Sequence, residues 1–114
     1  MERRVPSTGI WTGTWTIVSS PDFDYDYLSM EVAPYVRLSQ EGIEVAGEYR
    51  VGLQTGDLDV RLQTSDRAVF SFEGTDEMDP VNGAGTLTLN GDHLTFVLMY
   101  HRGDDYAFEC ERQR

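Results

Sequence analysis

The chain has 114 residues, and its 9 basic residues, all arginine, stand against 20 acidic residues, which gives a formal net charge of -11 at pH 7. This length predicts one domain, and the acidic balance argues against a basic surface for nucleic acid or for an anionic membrane. A single cysteine cannot form an internal disulfide, and no apolar run reaches membrane-spanning length. We therefore expect a soluble, cytoplasmic protein.

The first predicted strand covers Gly9–Ser19, after a predicted N-terminal tail at residues 1–8. Trp11 and Trp15 share one parity in this strand with small or apolar residues, whereas three threonines share the other. This period of two is typical of a half-buried strand, so we expect both tryptophans to face a core. The single domain is predicted to span residues 9–114.

The rest of the chain repeats this alternation, and no helical period competes with it. After a loop at Pro21–Asp26, the later strands are predicted at Tyr27–Ser39 with a bend at Pro34, Ile43–Leu53, Gly56–Gln63, around Phe70 and Phe72, around Leu87 and Leu89, His93–His101 and Asp105–Arg112.

The turns between these strands have recognisable sequences. Asn90-Gly91 predicts a type I′ hairpin, Arg102-Gly103-Asp104 predicts a turn, and the acidic segment Thr75–Asn82 predicts a longer connection. Eight antiparallel strands joined in this way favour an all-β fold, an eight-stranded antiparallel up-and-down β-barrel, because closure removes exposed sheet edges. A sandwich of two sheets is the alternative.

Arg112 shares its parity with Tyr106, Phe108 and Cys110, so its guanidinium is predicted to point inward, where it needs a partner. If the last strand pairs with the first, our register favours Trp11 over Trp15 as that partner. We interpret Trp11, Trp15 and Arg112 as a structural closure of one barrel end, since an unpaired buried charge is costly.

These residues carry a resemblance to a known group of proteins. Gly13-Thr14-Trp15 is similar to the GTW of fatty-acid-binding proteins, Gly9-Ile10-Trp11 fits the lipocalin GxW, and Cys110-Glu111-Arg112 resembles the CxR of the last strand of fatty-acid-binding proteins. The chain therefore resembles a calycin, the group that includes lipocalins, fatty-acid-binding proteins and avidin-like barrels. The resemblance implies a barrel in which the arginine packs over a tryptophan. The loop at Pro21–Asp26 is too short for the two portal helices of fatty-acid-binding proteins.

The sequence predicts no catalytic residue, no metal site and no cofactor. Asp22-Phe23-Asp24-Tyr25-Asp26 opens like a calcium loop, but Tyr27 stands where that loop needs glycine and Ala33 where it needs glutamate. Cys110 has inward parity among apolar residues, where a thiol keeps a high pKa, and no inward histidine could activate it.

The predicted barrel interior is the candidate ligand site. Its inward side chains form an apolar wall with a few hydroxyls, as in small-ligand cavities; the predicted lining residues are Tyr49, Phe70, Phe72, Phe96, Leu98, Tyr100 and Tyr106. Phe23, Tyr25 and Tyr27 are predicted to form an aromatic lid at the mouth, with a merely solvated loop as the alternative.

Three functions follow from this interior. The first is binding of a small apolar or aromatic molecule. The second is a filled barrel that acts through its surface as a protein-interaction or oligomerisation module, so a homo-oligomer stays open. The third, which ranks lower, is a cofactor-free isomerase or cyclase.

Overall fold

Eight strands form a closed antiparallel barrel in the computed structural model, which describes residues 9–113. The strands are β1 (Gly13–Ser19), β2 (Tyr35–Glu41), β3 (Glu44–Val51), β4 (Gln54–Leu62), β5 (Arg67–Asp76), β6 (Asp79–Asn90), β7 (His93–Tyr100) and β8 (Asp105–Arg112), with a short helix α1 (Tyr25–Leu28) between β1 and β2. Each strand pairs with its neighbours in sequence and β8 pairs with β1. The predicted up-and-down barrel is confirmed, and the sandwich is excluded. The predicted tail at 1–8 lies outside the described residues.

The middle of the barrel is filled by its own side chains. Tyr49, Phe96 and Leu98 are fully buried, and the rings of Tyr49 and Phe96 have centroids 5.5 Å apart. Phe70 fits because it lies over Gly85, where a Cβ atom would come within 2.2 Å of the ring. Large aromatic rings thus pack against the backbone of glycine residues, and the middle of the barrel is densely packed.

Strand two is shorter than predicted, because α1 occupies its expected beginning. The Asp24 carboxylate caps α1 by accepting the Tyr27 backbone N–H at 3.2 Å, so the chain turns helical where alternation alone predicted a strand. Met30, which has the apolar parity of the strand predicted at Tyr27–Ser39, is 57% exposed. Pro34 precedes β2 and its carbonyl accepts the Ile17 N–H at 3.1 Å. Period-two patterning was therefore wrong for the segment before Tyr35.

Two hairpins also differ from their predictions. The expected loop at Thr75–Asn82 is mostly strand, since β5 and β6 continue to a two-residue turn in which Glu77 and Met78 have φ of 51° and 76°. Two successive positive φ angles are those of a type I′ turn. Asn90 ends β6, and the positive φ of its turn falls on Gly91 at 63°, as in a type II′ turn.

The two ends of the barrel differ in their connections. We call the end that holds Val51 and Tyr100 the mouth, and the opposite end, which holds Gly13 and Arg112, the closed end.

Within residues 9–113 no helix has the length and apolar character needed to cross a bilayer.

Candidate functional site

Arg112 packs over Trp15 at the closed end. Its guanidinium carbon lies 4.2 Å from the Trp15 ring centre, and the two residues are directly paired between β8 and β1. The prediction that Trp11 is the partner was wrong. Trp11 lies in a turn before β1, in which the Thr12 N–H bonds to the Gly9 carbonyl at 2.8 Å, so Trp11 takes no part in the pairing of β1 with β8.

The same guanidinium holds the chain before β1 in place. It donates to the carbonyls of Ile10 at 2.8 Å and Thr12 at 3.1 Å, and to Asp92 Oδ1 at 3.0 Å. Trp15 Nε1 donates to the Trp11 carbonyl at 3.1 Å. Because the charge has both hydrogen-bond acceptors and an aromatic face, its desolvation is compensated.

At the mouth, two polar side chains extend the pairing of β1 with β8. The Ser20 hydroxyl donates to the Ala107 carbonyl at 2.6 Å, and the Asp22 carboxylate accepts the Ala107 N–H at 2.8 Å. They replace the backbone ladder, which a bulge near Val18 disturbs. This anchoring brings Phe23 over β8.

Phe23 and Tyr27 form an aromatic cover over the mouth. Their ring centroids are 5.0 Å apart, and the Phe23 ring lies 4.8 Å from that of Tyr106. Tyr27 is further fixed by Gly52, where a Cβ would lie 2.5 Å from the Tyr27 ring. Tyr25 is 47% exposed and does not line the space below. The loop therefore directs Phe23 and Tyr27, but not Tyr25, to the mouth.

A cavity of about 420 Å³ lies beneath this cover. Its aromatic wall consists of Phe23, Tyr27, Tyr100, Tyr106 and Phe108. The Tyr100 and Tyr106 rings meet at 5.6 Å in an edge-to-face arrangement. A cavity of this volume fits a small molecule.

The polar part of the same wall is centred on Gln54, which is only 5% exposed. Its Oε1 accepts a hydrogen bond from the Tyr100 hydroxyl, and its Nε2 donates to the Tyr49 hydroxyl. Burial raises the pKa of Tyr100 to about 12 and also raises the pKa of Tyr49. Both phenols therefore stay protonated at neutral pH, and of the two only the Tyr100 hydroxyl donates to Gln54, whereas the Tyr49 hydroxyl accepts from it.

The predicted site residues fall into two groups. Tyr100 and Tyr106 line the mouth cavity, whereas the other five predicted residues are buried and do not line it; these are Tyr49, Phe70, Phe72, Phe96 and Leu98. Contact of any of them with a ligand stays a prediction.

Sequence reasoning missed the polar wall residues Gln54, Asp76, His101 and Asp104. A signal existed for Gln54, because it shares the inward parity of Leu58 in β4. For Asp76 and Asp104 none existed, since both looked like ordinary turn residues.

Cys110, the cysteine of the described residues, is not placed for nucleophilic chemistry. Cys110 is fully buried, and burial raises the pKa of its thiol. His93 lies on the outer face of the barrel, with Nε2 2.6 Å from Glu109 Oε1. No group of three or more potential ligands is placed to hold a metal ion in the described part of the chain.

A second, wider depression of about 930 Å³ lies at the closed end. Ile43, in the turn between β2 and β3, borders it and is 72% exposed, and Ile10 and Trp11 border it as well. It carries neither the aromatic cover nor the buried polar centre of the mouth cavity.

Comparisons with known proteins give no relative for this chain: no protein-family model matches it, and no curated protein matches its sequence. The functional interpretation therefore depends on the chain's own residues.

Proposed function

We propose that this protein binds a small apolar or aromatic compound in the mouth cavity. The observation that carries the proposal is an aromatic-walled space of about 420 Å³ at one end of an otherwise filled barrel. Rings on α1, its preceding loop, β7 and β8 supply the apolar contact, and the Gln54 amide supplies a polar point that could orient the ligand.

We also infer that the barrel is of the calycin type. The motif Gly13-Thr14-Trp15 and the packing of Arg112 over Trp15 support this inference, because they match the closure that the resemblance implies. The lone, buried Cys110 supports a reducing compartment such as the cytoplasm.

Binding is tested best by two measurements. Native mass spectrometry of the freshly purified protein detects a ligand that co-purifies. A titration with 2-phenylethanol, followed by NMR through the Gln54 side-chain amide, reports occupation of the cavity. Tryptophan fluorescence is a poor reporter, since Trp11 and Trp15 lie at the closed end.

Phe23→Ala and Tyr25→Ala form a matched pair for this test. Phe23 lines the cavity and Tyr25, two residues away, does not. We expect Phe23→Ala to weaken binding and Tyr25→Ala to leave it unchanged, with thermal unfolding confirming that both variants fold. If no ligand co-purifies and a panel of small aromatic compounds leaves the Gln54 amide signals unmoved, the proposal is wrong.

The exposed Ile43 favours one second candidate, self-association through the closed end. Ile43 and Ile10, which are 72% and 37% exposed, border the same depression, and exposed apolar side chains grouped in one patch are typical of a contact surface. Sedimentation velocity tests it: a dimer that Ile43→Asp converts to monomer supports the interaction function, and a monomeric wild type contradicts it.

A further inference from the structure

We propose that the ligand of the mouth cavity is an organic ammonium ion on a small apolar or aromatic body, an inference that rests on the proposed binding function. Three features of the wall support it: carboxylates that form no ion pair with the described residues 9–113, a set of aromatic rings, and a buried amide with unused hydrogen-bonding capacity.

Asp76 and Asp104 place two carboxylates on the cavity wall. Within residues 9–113, no arginine forms an ion pair with either of them. Asp104 Oδ2 accepts a hydrogen bond from the Tyr106 hydroxyl at 3.3 Å, which keeps it beside the rings. A half-buried carboxylate such as Asp76 is stabilised by a nearby positive charge, and a bound ammonium ion supplies one.

The aromatic wall suits the same chemistry. Phe23, Tyr27, Tyr100 and Tyr106 come from α1, its preceding loop, β7 and β8, and border one space. The negative faces of such rings attract ammonium groups, most strongly where water is excluded. Burial and the negative charge of Asp76 both raise the pKa of Tyr27 and Tyr100. Both side chains therefore remain neutral phenols near the Asp76 carboxylate.

Gln54 supplies the third feature. Its two hydrogen bonds, to Tyr49 and Tyr100, use one N–H and one lone pair of Oε1. The second N–H has no acceptor among residues 9–113, and Oε1 retains a second lone pair that can accept from an ammonium N–H. A side chain that is nearly fully buried thus keeps capacity for a bound polar molecule.

The surrounding rim attracts cations as well. Asp22, Asp24 and Asp26 lie in and before α1, and Glu77 and Asp79 lie at the tip of the β5–β6 hairpin. Carboxylates around an aperture raise the local concentration of cations and disfavour anions. His101 is the basic side chain on the wall.

Three probes of similar size separate charge from shape: phenethylamine, which is cationic, 2-phenylethanol, which is neutral, and phenylacetate, which is anionic. Dissociation constants are measured by NMR titration at low ionic strength. We expect phenethylamine to bind at least about fivefold more tightly than 2-phenylethanol, with phenylacetate weakest.

Asp76→Asn and Asp104→Asn assign the effect to the wall. Each amide keeps the size of the carboxylate, and Asp104→Asn keeps an acceptor for Tyr106. Asp59→Asn changes the net charge equally at an exposed position remote from the mouth. We expect either wall variant to weaken phenethylamine binding about fivefold and to leave 2-phenylethanol binding unchanged. The Asp59→Asn control should bind phenethylamine as tightly as the wild type does.

The outcomes distinguish this inference from the function on which it rests. If phenethylamine and 2-phenylethanol bind equally well, or if phenylacetate binds best, the ammonium inference is overturned and binding in the cavity stands. If Asp59→Asn weakens the amine as much as the wall variants do, the preference comes from net charge and the inference is overturned. If none of the three probes binds, the ammonium inference fails, and the binding function fails with it when no ligand co-purifies and the panel of aromatic compounds leaves the Gln54 amide signals unmoved.

Discussion

Arg112 shows how one side chain can hold several segments together. Its guanidinium stacks on Trp15 and donates to Ile10, Thr12 and Asp92, so its removal leaves two carbonyls and a carboxylate without this donor. We expect Arg112→Ala to lower the free energy of unfolding by about 2 kcal/mol, as for loss of charge-assisted hydrogen bonds. Urea denaturation measures this.

Arg67→Ala is the control for that prediction. Arg67 is exposed at the start of β5 and forms no ion pair within the described range 9–113. Its replacement should change the free energy of unfolding by less than about 0.5 kcal/mol. Equal urea midpoints for the two variants would contradict the closure assigned to Arg112.

Tyr100 makes stability depend on pH at the alkaline end. Burial raises the pKa of Tyr100 from 10.0 to about 12, so between these values the unfolded chain loses a proton that the folded chain keeps. The contribution of Tyr100 to the free energy of unfolding is therefore fully present below pH 10.0 and is lost as the pH rises toward about 12.

Tyr100→Phe removes the titrating group but keeps the ring. We expect this variant to show a shallower fall of the free energy of unfolding above pH 10.0, with a residual fall because the pKa of Tyr49 is also raised. Urea denaturation from neutral to alkaline pH measures the slope, with the neutral value of each protein as its own reference. Identical slopes for the wild type and Tyr100→Phe would show that the pKa of Tyr100 is not raised in the folded protein.

At the scale of elements, α1 is docked on the hairpin between β3 and β4. The Gly52 N–H donates to the Leu28 carbonyl at 2.9 Å, and the Tyr27 ring covers Gly52. Gly52 and Gly42 have nearly the same φ, 59° and 63°, but a Cβ at Gly42 would meet nothing within 4 Å. The two glycines therefore separate backbone strain from crowding.

We expect Gly42→Ala to destabilise by about 1 kcal/mol through the left-handed backbone alone. Gly52→Ala should cost about 1 to 3 kcal/mol more, because the methyl group displaces Tyr27. Thermal or urea unfolding of both variants measures the difference, and Tyr27→Ala in the Gly52→Ala background should recover part of it. If Gly52→Ala lowers the free energy of unfolding no more than Gly42→Ala does, the Tyr27 ring of α1 does not pack tightly on the β3–β4 hairpin.

The whole molecule depends on the pairing of its two terminal strands. β1 and β8 share the pairs Trp15 with Arg112, Thr16 with Glu111 and Ile17 with Cys110, although nearly the whole chain separates them. We expect NMR cross-strand contacts between Thr16 and Glu111 and slow amide exchange on both strands. Circular dichroism should show β structure with almost no helix. Fast exchange throughout β1 and β8, without those contacts, would mean an open sheet.

The sequence by itself determined the fold class, most of the strands and the inward positions of Trp15, Phe96 and Arg112. Their alternation is local, and a one-residue slip would expose every core side chain, so a single register is strongly favoured. Residue types alone also argued against a basic surface and predicted an aromatic lid of Phe23, Tyr25 and Tyr27, of which Phe23 and Tyr27 line the mouth cavity.

Only the tertiary structure decided whether the barrel is filled and which tryptophan meets Arg112. Filling depends on rings lying over distant glycines such as Gly85, and the partner of Arg112 depends on where β1 begins and how it pairs with β8. The cavity required the same long-range information, because Gln54 and Asp76 meet in the pairing of β4 with β5, whereas Asp104 reaches the same space from the turn between β7 and β8. Local patterns fix the face of a strand, but convergence of distant side chains is set by how the strands twist and close.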